Sequence, residues 1–251
     1  MRIAIISDVH GNLPALEAVL ADIECRGIDR LINLGDCVSG PLWPREVCDL
    51  LMGRDDLSIR GNHDRWVSGP DPAPTSASDR YAFSQLNLEH RSWLEGLPTS
   101  ADTDHGILAC HGTPTNDNQY LVEEASGRRI VRASLAAIRN RLGDVQARVV
   151  LCGHSHQQHL IELPDGPLIL NPGSAGCPSH DGPHNGAHAS RMGSPKARYA
   201  VLTIDEDQLS AQLIAIPYDW KAAAVRAEMN GRPEWAYGLR TGYFAATPAS
   251  F

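Results

Sequence analysis

The six cysteines of this chain, Cys25, Cys37, Cys48, Cys110, Cys152 and Cys177, include no C-x-x-C pair. That absence argues against a disulfide framework and against a Cys-rich structural zinc. Cys37, Cys110 and Cys152 lie in or beside apolar runs and read as small buried hydrophobes, and a reducing compartment fits such usage. An excess of basic residues is missing too: 30 acidic side chains face 22 basic ones, a net charge of -8. A surface that tracks the phosphates of long nucleic acid is therefore not expected, whereas small phosphorylated substrates remain open. No apolar run approaches the length of a membrane helix, so no membrane partner is expected. The N-terminus passes from Ile3-Ala4-Ile5-Ile6 straight into Ser7-Asp8-Val9-His10. That leaves no room for a signal peptide, and the expected location is the cytoplasm. Neither an internal repeat nor a second composition regime divides the 251 residues. One domain over 1–251 is expected, with 241–251 as a C-terminal tail, and a homo-oligomer stays open.

What is present is a regular alternation of apolar runs and helical periods. Arg2–Ile6 reads as a buried strand. Asn12 can cap a helix in which Leu16, Val19, Leu20 and Ile23 recur at helical spacing. A second strand at 31–34, a helix over Pro44–Met52 and a third strand at 57–59 follow. This β-α-β-α-β order implies parallel strands covered by helices. A loop over 69–78 and a helix over 79–94 come next, then strands near 99–103 and Ile107–Cys110, a helix over 130–142 and a strand at 149–152. Strands at 159–163, 168–171, 199–204 and 209–216, joined by turns, form an antiparallel half. Helical stretches at Trp220–Met229 and 234–239 end the chain. Two sheets packed face to face are expected.

Five short strands run directly into metal-type ligands. The first leads to Asp8 and His10, the second to Gly35-Asp36, and the third to Gly61-Asn62-His63-Asp64. Ile107–Cys110 leads to His111-Gly112, and 149–152 leads to Gly153-His154-Ser155-His156. In open α/β sheets the ligand site lies beyond the carboxyl ends of the strands, so these five ends should meet. Asp8/His10 and His154/His156 are i, i+2 pairs, which in extended backbone point to one side. Three oxygen ligands and four imidazoles exceed what one tetrahedral ion needs. They suit two five- or six-coordinate ions sharing a carboxylate, about 3.5–4 Å apart. Manganese is the expected metal, with iron or zinc as alternatives, since no thiolate takes part.

In order and approximate spacing these motifs resemble the calcineurin-like metallophosphoesterase superfamily, and its small bacterial and archaeal phosphodiesterase branch in particular. Gly40-Pro41 with Pro44-Arg45-Glu46-Val47, Asn171-Pro172-Gly173-Ser174 and Pro217-Tyr218-Asp219 extend the likeness over nearly the whole chain. The resemblance implies an α/β fold, a four-layer α-β-β-α sandwich of two mixed sheets. It implies that Asp8, His10, Asp36 and His156 hold one metal and that Asp36, Asn62, His111 and His154 hold the other, with Asp36 bridging. His63 would be the catalytic histidine. The protein Ser/Thr phosphatase branch carries an Asp-Arg pair after its Gly-Asp motif; here Cys37-Val38-Ser39-Gly40-Pro41 stands instead.

The expected reaction is hydrolysis of a small phosphodiester or phosphomonoester by a bridging hydroxide, with His63 protonating the leaving oxygen. A dinucleoside polyphosphate hydrolase or nucleotidase shares the same centre and is the alternative. A non-catalytic scaffold of the same fold is the remote one, and the presence of His63 and a complete ligand set counts against it. Asp64 either caps the turn or orients His63. Arg198 is a candidate for contact with substrate phosphate. His90 and His105 read as surface residues. The stretch 176–195, rich in Gly, Pro, Ser and His, reads as a surface loop or as a mobile flap that brings His180 and His184 to substrate. Its composition should not bury enough apolar surface to order itself.

Overall fold

The structure is a computed structural model and describes residues 1–28, 30–69, 76–103, 105–127, 129–182, 188–206 and 208–244. In chain order the elements begin with β1 Arg2–Ile6, α1 Leu13–Cys25, β2 Arg30–Asn33, α2 Pro44–Met52, β3 Leu57–Ser58 and α3 Asn62–Ser68. Next come α4 Ala77–Gln85, α5 Leu88–Gly96, β4 Ser100–Thr103, β5 Ile107–Cys110, β6 Glu123–Ser126, β7 Arg129–Arg132 and α6 Leu135–Leu142. β8 Val149–Leu151, β9 Gln158–Glu162, β10 Leu168–Pro172, β11 Ser179–Gly182 and β12 His188–Arg191 follow. β13 Ala197–Asp205, β14 Gln208–Ile216, α7 Trp220–Met229 and α8 Pro233–Thr241 complete the set.

Two mixed sheets of five strands form the centre, ordered β14-β13-β1-β2-β3 and β4-β5-β8-β10-β9. Alternation along each strand decides which side chains meet. Ile3 and Ile5 of β1 face the second sheet, where Ala109, Leu151 and Leu170 meet them. Ala4 and Ile6 face the other way, onto Leu16 and Val19 of α1 and Val47 of α2. On the far side of the second sheet, Leu108, Val150 and Ile169 pack under Ile138 and Leu142 of α6. Each such large aliphatic side chain contributes about 1.5–3 kcal/mol by leaving water. The result is helices, sheet, sheet, helix, the expected four-layer sandwich. β1, β2 and β3 are mutually parallel, as are β5, β8 and β10, so each set ends its strands at one edge.

A third sheet, ordered β11-β12-β7-β6, was not expected from the sequence. β7 takes the residues read as the first turn of a helix over 130–142, and α6 starts only at Leu135, where Ser134 accepts from the Ala137 N–H. The strands Glu-Glu-Ala-Ser and Arg-Ile-Val-Arg are mostly exposed, so they lack the apolar run that marks a buried strand. The helix read over 79–94 is two helices. Leu86 is extended, and Asn87 caps α5 through a reciprocal pair with His90. Within 176–195, β11 and β12 pair antiparallel, so the described part of that stretch is ordered by backbone hydrogen bonds rather than by apolar burial. His184 lies outside the described residues. α7 and α8 pack on each other through Ala223, Ala227, Ala236 and Leu239, with Leu42 beneath. Among the described residues no helix is long and apolar enough to cross a membrane.

Candidate metal centre

The loops leaving β1, β2, β3, β5 and β8 converge, and their backbones are forced to. Asp8, His10, Asp36, His154 and His156 all have φ between 51° and 66°, in the left-handed region. That conformation is uncommon for residues with a Cβ, and Asp and His tolerate it better than most. The tightest approach is between the β2 and β3 loops. A Cβ on Gly35 would lie 2.4 Å from the Gly61 nitrogen, and one on Gly61 would lie 2.1 Å from Asp36 Oδ1, so only glycine fits either position. Asp64 fastens the same two loops. Its buried carboxylate accepts from the N–H groups of Asp36 (2.7 Å), Cys37 (2.9 Å) and Gly61 (3.0 Å). Of the two roles open for Asp64, the geometry gives it the cap. Burial and the nearby charge of Asp36 push its carboxyl up to about 6 against the Gly61 and Cys37 donors.

Two groups of side chains could each hold a metal ion: Asp8, His10 and His156, and Asp36, His111 and His154. In the first, His156 Nε2 lies 3.2 Å from Asp8 Oδ1 and 3.2 Å from His10 Nε2. Backbone carbonyls take the opposite ring nitrogens: His10 Nδ1 sits 2.6 Å from Ser39 O, and His156 Nδ1 sits 2.8 Å from Cys177 O. Each Nδ1 therefore carries the donated proton, and the two Nε2 atoms turn toward one point. Asp8 Oδ1 is buried there with the His156 ring as its close neighbour and no well-aligned hydrogen bond. Two facing imidazole nitrogens beside a buried carboxylate oxygen form a donor set that a cation fits.

In the second group, His111 Nε2 is 3.3 Å from Asp36 Oδ2 and 3.0 Å from Asn62 Oδ1, while its Nδ1 is held by Leu34 O at 2.7 Å. Among the described residues no hydrogen bond fixes the His154 ring, which leans on the rings of His111 and Tyr120 at 5.2 and 4.8 Å. Asp36 Oδ2 also stands 3.8 Å from His10 Nε2 of the first group.

The charge balance has the same pattern in each group. Burial alone would raise Asp8 and Asp36, but His156 holds Asp8, and His111 holds Asp36, well below the usual carboxylate range. Burial would lower His111, yet Asp36 outweighs it and raises that ring to about 10; Asp8 raises His156 in the same way. Burial and the neighbouring imidazoles push His10 down to about 4 and His154 down to about 3. Each group thus keeps one protonated and one neutral imidazole beside a carboxylate. A divalent cation can replace that proton as the counterion.

His63 belongs to neither group. Its backbone N–H donates to Asp36 Oδ1 at 2.9 Å, and its Nδ1 lies 2.6 Å from Asp79 Oδ1. Burial would lower this histidine, but Asp36 and then Asp79 raise it. Asp79, which holds the His63 ring, is not singled out by the sequence analysis. It is fully buried at the start of α4 and accepts from Ser39 Oγ (2.6 Å) and Ser76 Oγ (2.7 Å). The Ser76-x-x-Asp79 spacing is a helix-start signal, which could place α4 but not its reach to His63. Glu123 was missed as well. Its Oε1 accepts from Ser155 Oγ, and Asn171 donates to Gly153 O and Ser155 Oγ, so both steady the loop that carries His154 and His156.

The remaining expectations divide. His180 stands beside the site, its ring 4.2 Å from that of His156. Arg198 does not face it: the guanidinium donates to the carbonyls of Met192, Ser194 and Lys196 and to Ser194 Oγ, fastening that strap. The reading of His90 as surface is corrected. It is buried, with Nε2 at 2.8 Å from Asp49 Oδ1 and Nδ1 accepting from the Asn87 N–H. A cavity of about 240 Å³ opens over His10, Asp36, Asn62, His63, His154 and His156.

Two carboxylate–imidazole groups thus stand at the ends of parallel strands. The chain belongs to the calcineurin-like phosphoesterase superfamily, whose domain it matches over residues 1–207. It is similar to a metallophosphoesterase from Sphaerobacter thermophilus: 28% identity, 97% of this chain and 100% of that one covered, TM-score 0.73. A hypothetical protein from Pyrococcus horikoshii OT3 shares the fold at 23% identity, with 97% and 99% covered and a TM-score of 0.74. An uncharacterized protein of Methanocaldococcus jannaschii is 28% identical over 93% of this chain and 94% of its own length.

Proposed function

We propose that the protein hydrolyses a small phosphodiester or phosphomonoester with the help of two divalent cations, manganese foremost. The observation that carries this reading is a pair of adjacent buried groups of ligand atoms, with Asp36 Oδ2 of one 3.8 Å from His10 Nε2 of the other and His63 hydrogen-bonded beside them. Asp8, His10, Asp36 and His156 would hold one ion, and Asp36, Asn62, His111 and His154 the other. When bound, the pair would acidify a water near neutrality and offset charge on the phosphoryl oxygens. The chain's own residues do the rest. Asp64 fixes the two loops so that Asp36 faces both groups. Asp79 accepts the Nδ1 proton of His63 and so leaves Nε2 to meet the leaving oxygen. Proton delivery of that kind is typically worth about 10²–10⁴-fold. We place the working enzyme in a reducing compartment, the cytoplasm, because all six cysteines are free thiols and five are buried. We further propose that the chain works as one domain, since α7 and α8 pack onto Leu42 and the pocket rather than standing apart.

The test is exhaustive chelation followed by add-back of Mn²⁺, assayed on phosphomonoesters, phosphodiesters and dinucleotides. Hydrolysis should disappear and return. Full turnover by metal-free protein would sink the proposal.

A further inference from the structure

The match to the superfamily domain stops at residue 207, and both groups of ligand atoms lie inside it. The pocket above them does not. Arg232 and Glu234, with Trp235 in the first turn of α8, line the same cavity as His63 and His156. α8 is firmly seated there. Ala236 and Leu239 are buried against α7, and the Gly193 N–H donates to Gly242 O at 3.0 Å, tying the helix end to the strap after β12. The indole of Trp235 passes so close to Gly40 that a Cβ at 40 would lie 3.2 Å from its ring edge.

Three features describe what this wall fits. The first is a row of rings. Trp66 lies 4.7 Å from His63, His63 lies 5.4 Å from His10, and His10 lies 6.2 Å from Trp235, so two indoles bracket two imidazoles that line the cavity. Flat apolar faces of this kind hold planar groups by stacking or edge contact. The second is charge. Arg232 is the one Lys or Arg lining the cavity among the described residues, and it donates to Glu234 and to Ser78 Oγ. Its charge is matched by Glu234, so no cation is left over for a second phosphate. The third is size: about 240 Å³ has room for a phosphoryl group with one ring system, not for a polymer.

We infer that the organic group on the phosphate carries a flat, uncharged aromatic ring, and that Trp235 is the specificity-determining residue that seats it. The inference rests on the proposed metal site for the phosphoryl end and adds the organic end. It is read by binding, apart from turnover. Calorimetry on Mn²⁺-loaded protein compares phenylphosphonate with methylphosphonate. Phenylphosphonate should bind roughly tenfold more tightly, the scale of one aromatic stacking contact. Trp235→Leu, which keeps an apolar plug without a ring, should bring the ratio close to one with metal content unchanged, and Trp235→Phe should restore most of it. A wild-type ratio near one overturns the inference. So does a ratio that survives in Trp235→Leu or is lost only in Trp66→Leu. Failure of both phosphonates to bind loaded protein would overturn the metal-site reading, and the inference with it. KM values for adenosine 5′-monophosphate against ribose 5-phosphate make a second pair. Discrimination there, lost in Trp235→Leu, assigns the ring to a sugar-borne base; discrimination confined to the phosphonates assigns it to a direct aryl ester.

Discussion

The two candidate metal groups use the same residue types but are not built alike. In the Asp8 group both imidazoles are pinned from behind, His10 by Ser39 O and His156 by Cys177 O. Those carbonyls come from loops far apart in sequence, so that group is clamped by the fold itself. In the Asp36 group, among the described residues, only His111 is pinned, by Leu34 O, while His154 rests on neighbouring rings. Outer hydrogen bonds fix tautomer and direction, and their loss typically weakens a metal site about 10–100-fold. If both groups hold cations as proposed, the Asp8 group would be the tight position and the Asp36 group the exchangeable one.

The harshest way to break this comparison is to remove what the groups share. Asp36→Ala should strip both positions and lower kcat/KM by about 10³-fold or more, several kcal/mol of lost transition-state stabilisation. Elemental analysis should find both ions depleted; retention of one full equivalent would show that Asp36 serves a single group. His63→Ala should leave the comparison standing, with both metals present and kcat lower by about 10²–10⁴-fold. Loss of metal in that variant would make His63 a ligand.

Asp79→Asn is the subtler companion, expected to cost roughly 10- to 100-fold in kcat by loosening the ring. It also carries a pH signature. His63 is raised because Asp36 and Asp79 outweigh burial, so it keeps its proton to higher pH. Removing the Asp79 charge lowers that value, and the alkaline limb of the rate profile should move toward lower pH. An unmoved limb would show that Asp79 does not tune the histidine.

The comparison is sharpened by titrating loaded protein with a chelator. The Asp36 group should empty first, with a dissociation constant about tenfold weaker than that of the Asp8 group. A single step in which both ions leave together would refute the asymmetry. The smallest effect belongs to Asp64→Asn, which leaves one of three buried N–H donors poorly paired and should destabilise the fold by about 1–3 kcal/mol. Thermal melting reads it, and an unchanged melting temperature would deny Asp64 its fastening role.

The parts of the molecule that were legible in sequence are those in which strand and ligand occupy one continuous segment. Ile3-Ala4-Ile5-Ile6 before Asp8 and His10 announces both the buried strand and what lies at its end, and the same holds for Asp36, Asn62, His111 and His154. What stayed hidden depends on contacts across the chain. Asp79 lies 16 residues after His63, on a helix whose own sequence points only to a cap at Ser76. β6 and β7 bury too little apolar surface to show a pattern. His90 reads as surface because its neighbours in sequence are polar; one of them, Asn87, together with Asp49 from another helix, satisfies its ring nitrogens when it is buried.

The left-handed backbone at Asp8, His10, Asp36, His154 and His156 reaches beyond geometry. Such conformations cost about 1 kcal/mol or somewhat more apiece, and domains are typically stable by only about 5–15 kcal/mol. Five of them in one place make this centre a weak point of the fold, one that bound cations would brace by mass action. Divalent metal supply would then govern how much of this protein survives cellular proteolysis as well as how fast each copy turns over.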